Sequence, residues 1–179
     1  DLLLPGFARA LERQVKRASL RVIPSDAPTA DILREGACDL LITPFPPEGA
    51  DILQRNIFRD DYVCFYDPAM RGPPTTRADY LAARHVTVVY PDKTRLVFDT
   101  AMAEAGVVRD FAVEVASFSG VAAFLRGTDR LATLPRLLAA GLMREFATPP
   151  APGRPRVEGI SMSLVWHRRH AADPAMTFV

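Results

Sequence analysis

The sequence predicts an α/β protein of two lobes, and three observations lead to this prediction. Strand-like apolar runs alternate with helical patterns, and the alternation occurs twice along the 179 residues. The run Leu40–Ile42 is continuously apolar, which is typical of strands buried in a parallel sheet. A last alternating strand, residues 160–166, follows the second α/β unit. A chain with this order leaves one lobe, builds a second and returns to the first.

The first α/β unit is predicted over residues 2–43. Apolar residues at helical spacing, including Phe7, Leu11 and Val15, predict a helix over 2–17. The elements that follow are a strand over 19–24, a short helix over 30–35 that ends at Gly36, and a strand over 39–43. Since a doubly wound lobe starts with a strand, we expect one more strand before Asp1.

The second α/β unit follows a pair of strands that turn at Arg59–Asp60. The remaining predicted strands occupy 52–58, 61–66, 85–90, 111–115 and 131–134, and the remaining helices occupy 79–83, 96–105, 121–126 and 136–140. Ligands of such proteins bind beyond the carboxyl ends of the strands, where the lobes face each other. The sequence therefore predicts a binding cleft between the lobes.

Composition and charge indicate a globular domain without a nucleic-acid-binding surface of its own. Hydrophobic residues make up 49% and charged residues 24% of the chain, and 22 basic residues against 21 acidic ones leave a net charge of +1. A domain that binds phosphates carries a strong basic excess, so DNA would be bound by another part of the protein. No apolar run approaches the roughly 18 residues of a membrane span.

The two cysteines, Cys38 and Cys64, lack both CxxC spacing and a nearby histidine, which argues against a zinc site. Both lie in apolar runs, and we interpret them as buried core thiols. A redox sensor, the alternative, needs an exposed thiolate of low pKa. The spacing of His85, His167 and His170 forms no metal constellation, and no cofactor is predicted.

Six short motifs resemble the effector-binding domain of LysR-type transcriptional regulators. Residues 33–42 (LREGACDLLI) are similar to the L-x-x-G-x-x-D-L-a-I segment of that family, and residues 131–135 (LATLP) to its I-a-x-L-P segment. Leu3-Leu4-Pro5 resembles the opening of its first regulatory helix. Three further segments, 62–64 (YVC), 85–86 (HV) and 165–167 (VWH), look most like the branch of nodulation and salicylate- or nitrotoluene-responsive regulators. The motifs occur in the family's order and cover essentially the whole chain.

The resemblance implies a periplasmic-binding-protein-like fold with two Rossmann-like lobes. Lobe I would comprise 1–84 and 161–179, and lobe II 85–160. The resemblance also implies a cytoplasmic, membrane-free protein whose winged helix-turn-helix lies outside these residues, so that DNA is bound only through that part. We expect a homodimer, and a tetramer of the full-length protein. The helix around Phe7 and Leu11 either contributes an apolar patch to that assembly or buries it against its own sheet.

Two short segments of the first lobe carry candidate effector contacts. Thr43 ends a strand and Phe45 follows it, so a hydroxyl and a stacking ring would face the cleft. The alternative is that Thr43 caps the loop and Phe45 packs beneath it. Ser25, beside Asp26, lies between a strand and a helix N-terminus, where free N–H groups favour a carboxylate. Ser25 is otherwise a plain N-cap.

In the second lobe, the strand-to-helix segments carry the other candidates. Ser117, Phe118 and Ser119 offer hydroxyls and a ring, and the resemblance implies that this segment lines the effector pocket. Arg95, with Lys93 beside it, would pair with an effector acid, Arg95 in bidentate fashion. The alternative for either cation is a solvated loop charge.

The sequence predicts a sensor of a small aromatic or carboxylated molecule and not an enzyme. It contains no GxSxG, HExxH, P-loop or GxGxxG motif, and no catalytic residue is predicted. The adjacent acids Asp60 and Asp61 are expected to diverge. A transport solute-binding protein and a small-molecule lyase are the alternatives from other classes.

Overall fold

The computed structural model describes residues 4–15, 19–23, 28–90, 93–148 and 159–172. It contains two β-sheets together with α-helices. In chain order the elements are α1 (Leu4–Gln14), α2 (Asp31–Arg34), β1 (Leu40–Thr43), β2 (Ile52–Asp60), β3 (Tyr62–Tyr66), α3 (Arg77–Ala82), β4 (Arg84–Val88), α4 (Val97–Glu104), β5 (Asp110–Val115), α5 (Phe118–Leu125), β6 (Leu131–Pro135), a 3₁₀ turn (Arg136–Ala140), β7 (Ile160–His167) and a second 3₁₀ turn (Arg168–His170). The predicted α/β class is confirmed.

The chain divides into two compact units. Unit 1 comprises Asp1–Arg59 and Ser161–Val179, and unit 2 comprises Asp60–Ile160. The sequence-based boundaries placed residues 60–84 in the first lobe. They belong to unit 2 because β3 pairs with β6 along its whole length, from Tyr62 opposite Pro135 to Tyr66 opposite Leu131.

Unit 1 is built on a three-stranded sheet in the order β1-β7-β2. β1 runs antiparallel to β7, and Leu41 lies opposite Val165. With Leu33 of α2, these two side chains form a small buried cluster. The short helix ends at Gly36, as predicted, and the backbone of this glycine adopts the left-handed conformation at φ 73°.

Residues 19–23 of unit 1 do not form the predicted strand, and residue 24 lies outside the described part of the chain. An alternating apolar segment becomes a strand only when a neighbouring strand supplies its ladder hydrogen bonds. Leu20, Val22 and Ile23 instead expose 43–55% of their surface. Within the part of the chain that the structure describes, no strand pairs with residues 19–23.

Unit 2 contains a four-stranded sheet in the order β3-β6-β4-β5. β4 runs parallel to both β5 and β6, whereas β3 runs antiparallel to β6. All five residues of β3 are buried, and the side chains of Phe65, Leu131 and Leu134 are fully enclosed. The parallel strands place the loops that follow β4 and β5 at one edge of the sheet.

Candidate functional site

The carboxyl ends of β4 and β5 bring together the two segments of unit 2 that were predicted to contact a ligand. Val88 lies opposite Val115 at the ends of these strands, and the N–H of Val89 donates to the carbonyl of Val115 at 2.9 Å. The segment around Lys93 and Arg95 therefore starts beside the segment Ser117–Ser119. This adjacency is what a doubly wound lobe predicts for its binding edge.

Ser117, Phe118 and Ser119 form the start of α5. Ser117 occupies the N-cap position, yet its side chain makes no capping hydrogen bond. Its hydroxyl lies 2.9 Å from the hydroxyl of Ser119. Both serines are exposed, and Phe118 is half-buried. Two exposed hydroxyls and one half-buried aromatic residue thus lie at the positive end of an eight-residue helix.

Arg95 lies in the turn that precedes α4, and two contacts with residues of β5 hold its side chain in place. Its guanidinium donates to Glu114 Oε1 at 2.6 Å and lies 5.2 Å from the centroid of the Phe111 ring. Lys93, whose N–H donates to the carbonyl of Tyr90 at 2.8 Å, adopts φ 67° and is exposed. Arg95 therefore already has an acidic partner on β5, which the sequence spacing did not reveal.

In unit 1, Thr43 and Phe45 match neither of the two sequence-based alternatives completely. Thr43 is buried, and its hydroxyl oxygen accepts the backbone N–H of Phe45 at 3.0 Å, which is the predicted loop cap. Phe45 does not pack beneath that cap, since 46% of its surface is exposed. Ser25 and Asp26 lie outside the described residues, and the N-cap position of α2 is Ala30.

The two described histidines of the family-like motifs are held by hydrogen bonds. His85 is buried, its Nε2 lies 2.9 Å from the carbonyl oxygen of Tyr80, and burial lowers its pKa to about 4. Nε2 of His167 lies 3.2 Å from Asp51. The Arg34 guanidinium bound to the same carboxylate holds the pKa of Asp51 well below its usual range. No group of metal-ligating side chains occurs among the residues that the structure describes.

The prediction that Cys64 is a core thiol is confirmed, because the residue is fully buried and burial raises its pKa to about 12. Cys38 is half-buried, and burial raises its pKa as well. Neither thiol is the exposed, low-pKa thiolate that a redox sensor needs.

Unit 2 contains a buried polar network that the sequence patterns did not predict. Asp99 of α4 accepts from Arg109 at 2.5 Å, with side chains only 2% and 3% exposed. Asp99 also accepts from Thr87 of β4, and Arg109 donates to the hydroxyl of Tyr80 at 3.2 Å. The only signal in the sequence was an aspartate on the apolar face of a predicted helix, and its partner could not be identified from spacing.

These features define a class of protein: a two-unit α/β ligand-binding domain with polar loops at the carboxyl edge of a parallel sheet. The LysR substrate binding domain family matches residues 1–178, and the chain belongs to that family. This membership agrees with the motif-based prediction of a LysR-type effector-binding domain.

Relatives and solved structures agree with this assignment. The chain is 28% identical over 175 residues to the transcriptional activator NagR of Ralstonia sp, covering 96% of this chain and 58% of that protein. It is 29% identical to NahR of Pseudomonas putida, covering 80% and 48%, and 28% identical to nodulation protein D 1 of Sinorhizobium fredii, covering 91% and 52%. The chain therefore spans about half the length of these relatives.

The fold is that of the regulatory domain of MexT from Pseudomonas aeruginosa, with a TM-score of 0.79 at 21% identity over 99% of this chain and 89% of that one. Full-length CbnR bound to its target DNA gives a TM-score of 0.71 at 17% identity over 98% of this chain and 62% of that one. The two-lobed binding-protein fold is thereby confirmed.

The family assignment also decides between the classes of function. The matching family is a regulatory domain of transcription factors, neither an enzyme nor a transport solute-binding protein. In the part of the chain that the structure describes, no helix has the length and apolar character needed to cross a membrane.

Proposed function

We propose that this domain binds a small aromatic or carboxylated effector at the carboxyl edge of the unit 2 sheet and thereby controls transcription. The observation that carries the proposal is the start of α5, where the exposed hydroxyls of Ser117 and Ser119 contact each other and Phe118 is half-buried. The motif resemblance to the salicylate-responsive branch supports an aromatic acid as the effector.

Each group at this edge has a distinct task in the proposed complex. The two hydroxyls donate to a carboxylate, which the helix N-terminus also favours. The Phe118 ring packs against the aromatic part of the effector. Polar groups that fix orientation beside an apolar wall are the usual composition of a small-molecule site.

Isothermal titration calorimetry with salicylate and benzoate tests the proposal directly. We expect binding by the wild-type domain and a loss of about tenfold in affinity for the double variant Ser117→Ala/Ser119→Ala, which removes two hydrogen bonds. Ser19→Ala, an exposed serine of unit 1, is the matched control and should bind like wild type. A folded domain that binds none of the aromatic acids would contradict the proposal.

Arg95 is proposed as the cation that neutralises the effector acid, and Glu114 as its competitor. The pair is 39% and 42% exposed, so exchange of one carboxylate for another costs little desolvation. Glu114→Gln removes the competing charge and should tighten the binding of an acidic effector, whereas Arg95→Ala should weaken it. Equal affinities in wild type and both variants would exclude Arg95 from the site.

Unit 1 is proposed to contribute Thr43, Phe45 and Ser25. The exposed ring of Phe45 is the strongest of the three because it is available for stacking without rearrangement. Phe45→Ala should weaken aromatic effectors and leave the affinity for small aliphatic acids unchanged. Ile57→Ala, which alters another exposed apolar residue of unit 1, is the control.

The DNA is proposed to be bound by a winged helix-turn-helix outside these residues, in a cytoplasmic protein that forms a homodimer and, at full length, a tetramer. The net charge of +1 supports the absence of DNA binding by this part. Gel-shift titration of the 179-residue chain should show no specific operator binding. Analytical ultracentrifugation of the same chain should show a concentration-dependent dimer, and a strict monomer at high concentration would contradict the assembly.

A further inference from the structure

The chain passes between the two units twice, once at Arg59–Asp60 and once at Ile160–Ser161. Both crossings are continuous with strands, since β2 ends at Asp60 and β7 begins at Ile160. β2 and β7 are hydrogen-bonded neighbours in the unit 1 sheet, so the two crossings are already tied together on that side. What holds them on the unit 2 side decides whether they move as one connection or as two.

On the unit 2 side, the two crossings meet at Gly159 with no room for a side chain. A Cβ atom on Gly159 would lie 2.5 Å from the carbonyl oxygen of Asp60 and 3.0 Å from Oδ1 of Asp61. The nearest obstacle is backbone, so it cannot rotate away as a flexible side chain would. Glycine is required here by this close approach.

Asp60 is in turn fixed to the body of unit 2. Its carboxylate accepts the backbone N–H of Asp61 and, through its other oxygen, that of Leu137, each at 2.8 Å. The carbonyl of Asp61 accepts the N–H of Arg136 at 2.7 Å. These bonds anchor the crossing to the end of β6 and to the 3₁₀ turn that follows it.

We propose that Asp60, Leu137 and Gly159 form a clamp that joins both crossings to unit 2, so that they act as a single pivot for any reorientation of the units. Asp60 and Gly159 are then positioning residues: they touch no effector but determine the distribution of inter-unit arrangements on which an effector acts. The bending is confined to the peptide groups around Arg59–Asp60 and Ile160–Ser161. The acidic pair Asp60–Asp61, which has no catalytic role, thereby acquires a mechanical one.

Gly159→Ala tests the clamp by forcing the two crossings apart. We expect amide hydrogen exchange at Leu137 to accelerate by about tenfold while the interior amides of β6 keep their protection. We also expect a broader distance distribution between spin labels at Glu35 in unit 1 and Glu104 in unit 2, placed in a Cys38→Ser background. Gly72→Ala is the control, because a Cβ there meets nothing within 4 Å.

A second substitution covers the case in which Gly159→Ala does not fold. Asp60→Ala removes the bond to Leu137 without introducing a clash, and Asp129→Ala, on an exposed surface of unit 2, is its control. If Asp60→Ala and every folded Gly159→Ala sample match their controls in both exchange and distance distribution, the clamp is overturned. No effector is used, so the result is independent of the proposed effector site.

Discussion

The two units of this domain differ in how their interiors are built. Among the described residues, unit 2 holds nearly all of the large, fully buried side chains, including Tyr62, Phe65 and Phe98, whereas unit 1 contributes Leu33. The buried cluster of unit 1 described above consists of Leu33, Leu41 and Val165. Because the hydrophobic contribution scales with the apolar area removed from water, unit 2 is expected to be the more stable body.

The two units also differ in how deeply one ion pair in each is buried. The ion pair between Arg34 and Asp51 in unit 1 is 42% and 36% exposed, but the pair between Asp99 and Arg109 in unit 2 is almost completely enclosed. Arg109 also lies about 5 Å from the rings of Phe98 and Phe111. Because the loss of one partner of an enclosed pair leaves an uncompensated buried charge, we expect unit 2 to be the more sensitive to single substitutions at its ion pairs.

The largest effect should come from breaking that enclosed pair. Asp99→Ala leaves the guanidinium of Arg109 buried without its counter-ion and should lower the free energy of unfolding of unit 2 by about 3–5 kcal/mol. Asp110→Ala, which removes an exposed pair with Arg84, should cost less than about 1 kcal/mol. Urea denaturation of both variants measures the difference. Equal costs would show that enclosure does not distinguish the two pairs.

Truncating one fully buried leucine in each unit tests the contrast in packing. Leu134→Ala in β6 should cost about 3–5 kcal/mol, since the surrounding strands restrict collapse of the cavity. Leu33→Ala in the four-residue α2 should cost about 2–3 kcal/mol, because a small cluster relaxes more completely. Chemical denaturation followed by a probe in each unit separates the two values. A larger loss for Leu33→Ala would reverse the ranking of the units.

Acid should destabilise unit 2 through His85. The pKa of His85 is about 4 in the folded protein and 6.5 ordinarily. Between these pH values the imidazole is therefore protonated in the unfolded chain but neutral in the folded one. Stability is complete above about pH 6.5 and decreases as the pH falls towards 4, by about 2 kcal/mol at pH 5. The variant His85→Gln keeps a donor for Tyr80 and should lose this part of the pH dependence. An identical difference between pH 7 and pH 5 in both proteins would refute the role of His85.

The smallest effect concerns helix capping. In unit 2, Thr76 accepts the backbone N–H of Asp79 at 3.1 Å and caps α3, whereas α2 in unit 1 has no side-chain cap. Thr76→Ala should cost about 1 kcal/mol, and Thr76→Ser should restore most of it. Thermal unfolding measures both. A Thr76→Ala variant as stable as wild type would show that α3 depends on packing alone.

Sequence patterns predicted the elements of unit 2 better than those of unit 1. The strands over 61–66 and 131–134 were found almost as predicted, because each combines a continuous apolar run with a neighbour to pair with. The segment 19–24 has an equally clear alternation, but its described residues form no strand. The boundary between the lobes was misplaced because the pairing of β3 with β6 joins residues about 70 positions apart, which no local pattern records.

The candidate site was predictable to a similar degree. The loops after β4 and β5 could be identified because parallel strands bring their carboxyl ends to one edge. The partner of Arg95 could not, since Glu114 is adjacent only after the two strands pair. In the same way, the sequence offered Thr43 and Phe45 as candidates but could not tell that one would be buried and the other exposed.

The sequence by itself determined the α/β class, the LysR motifs, the net charge of +1 and the loops that carry polar and aromatic side chains. These properties follow from local periodicity, composition and order along the chain. Only the tertiary structure decided which unit holds residues 60–84, that Asp99 and Arg109 enclose a charge pair, and that Gly159 meets Asp60. Each of these depends on contacts that no local pattern encodes, because the folding free energy of such contacts is determined by packing and desolvation and not by local conformational preference.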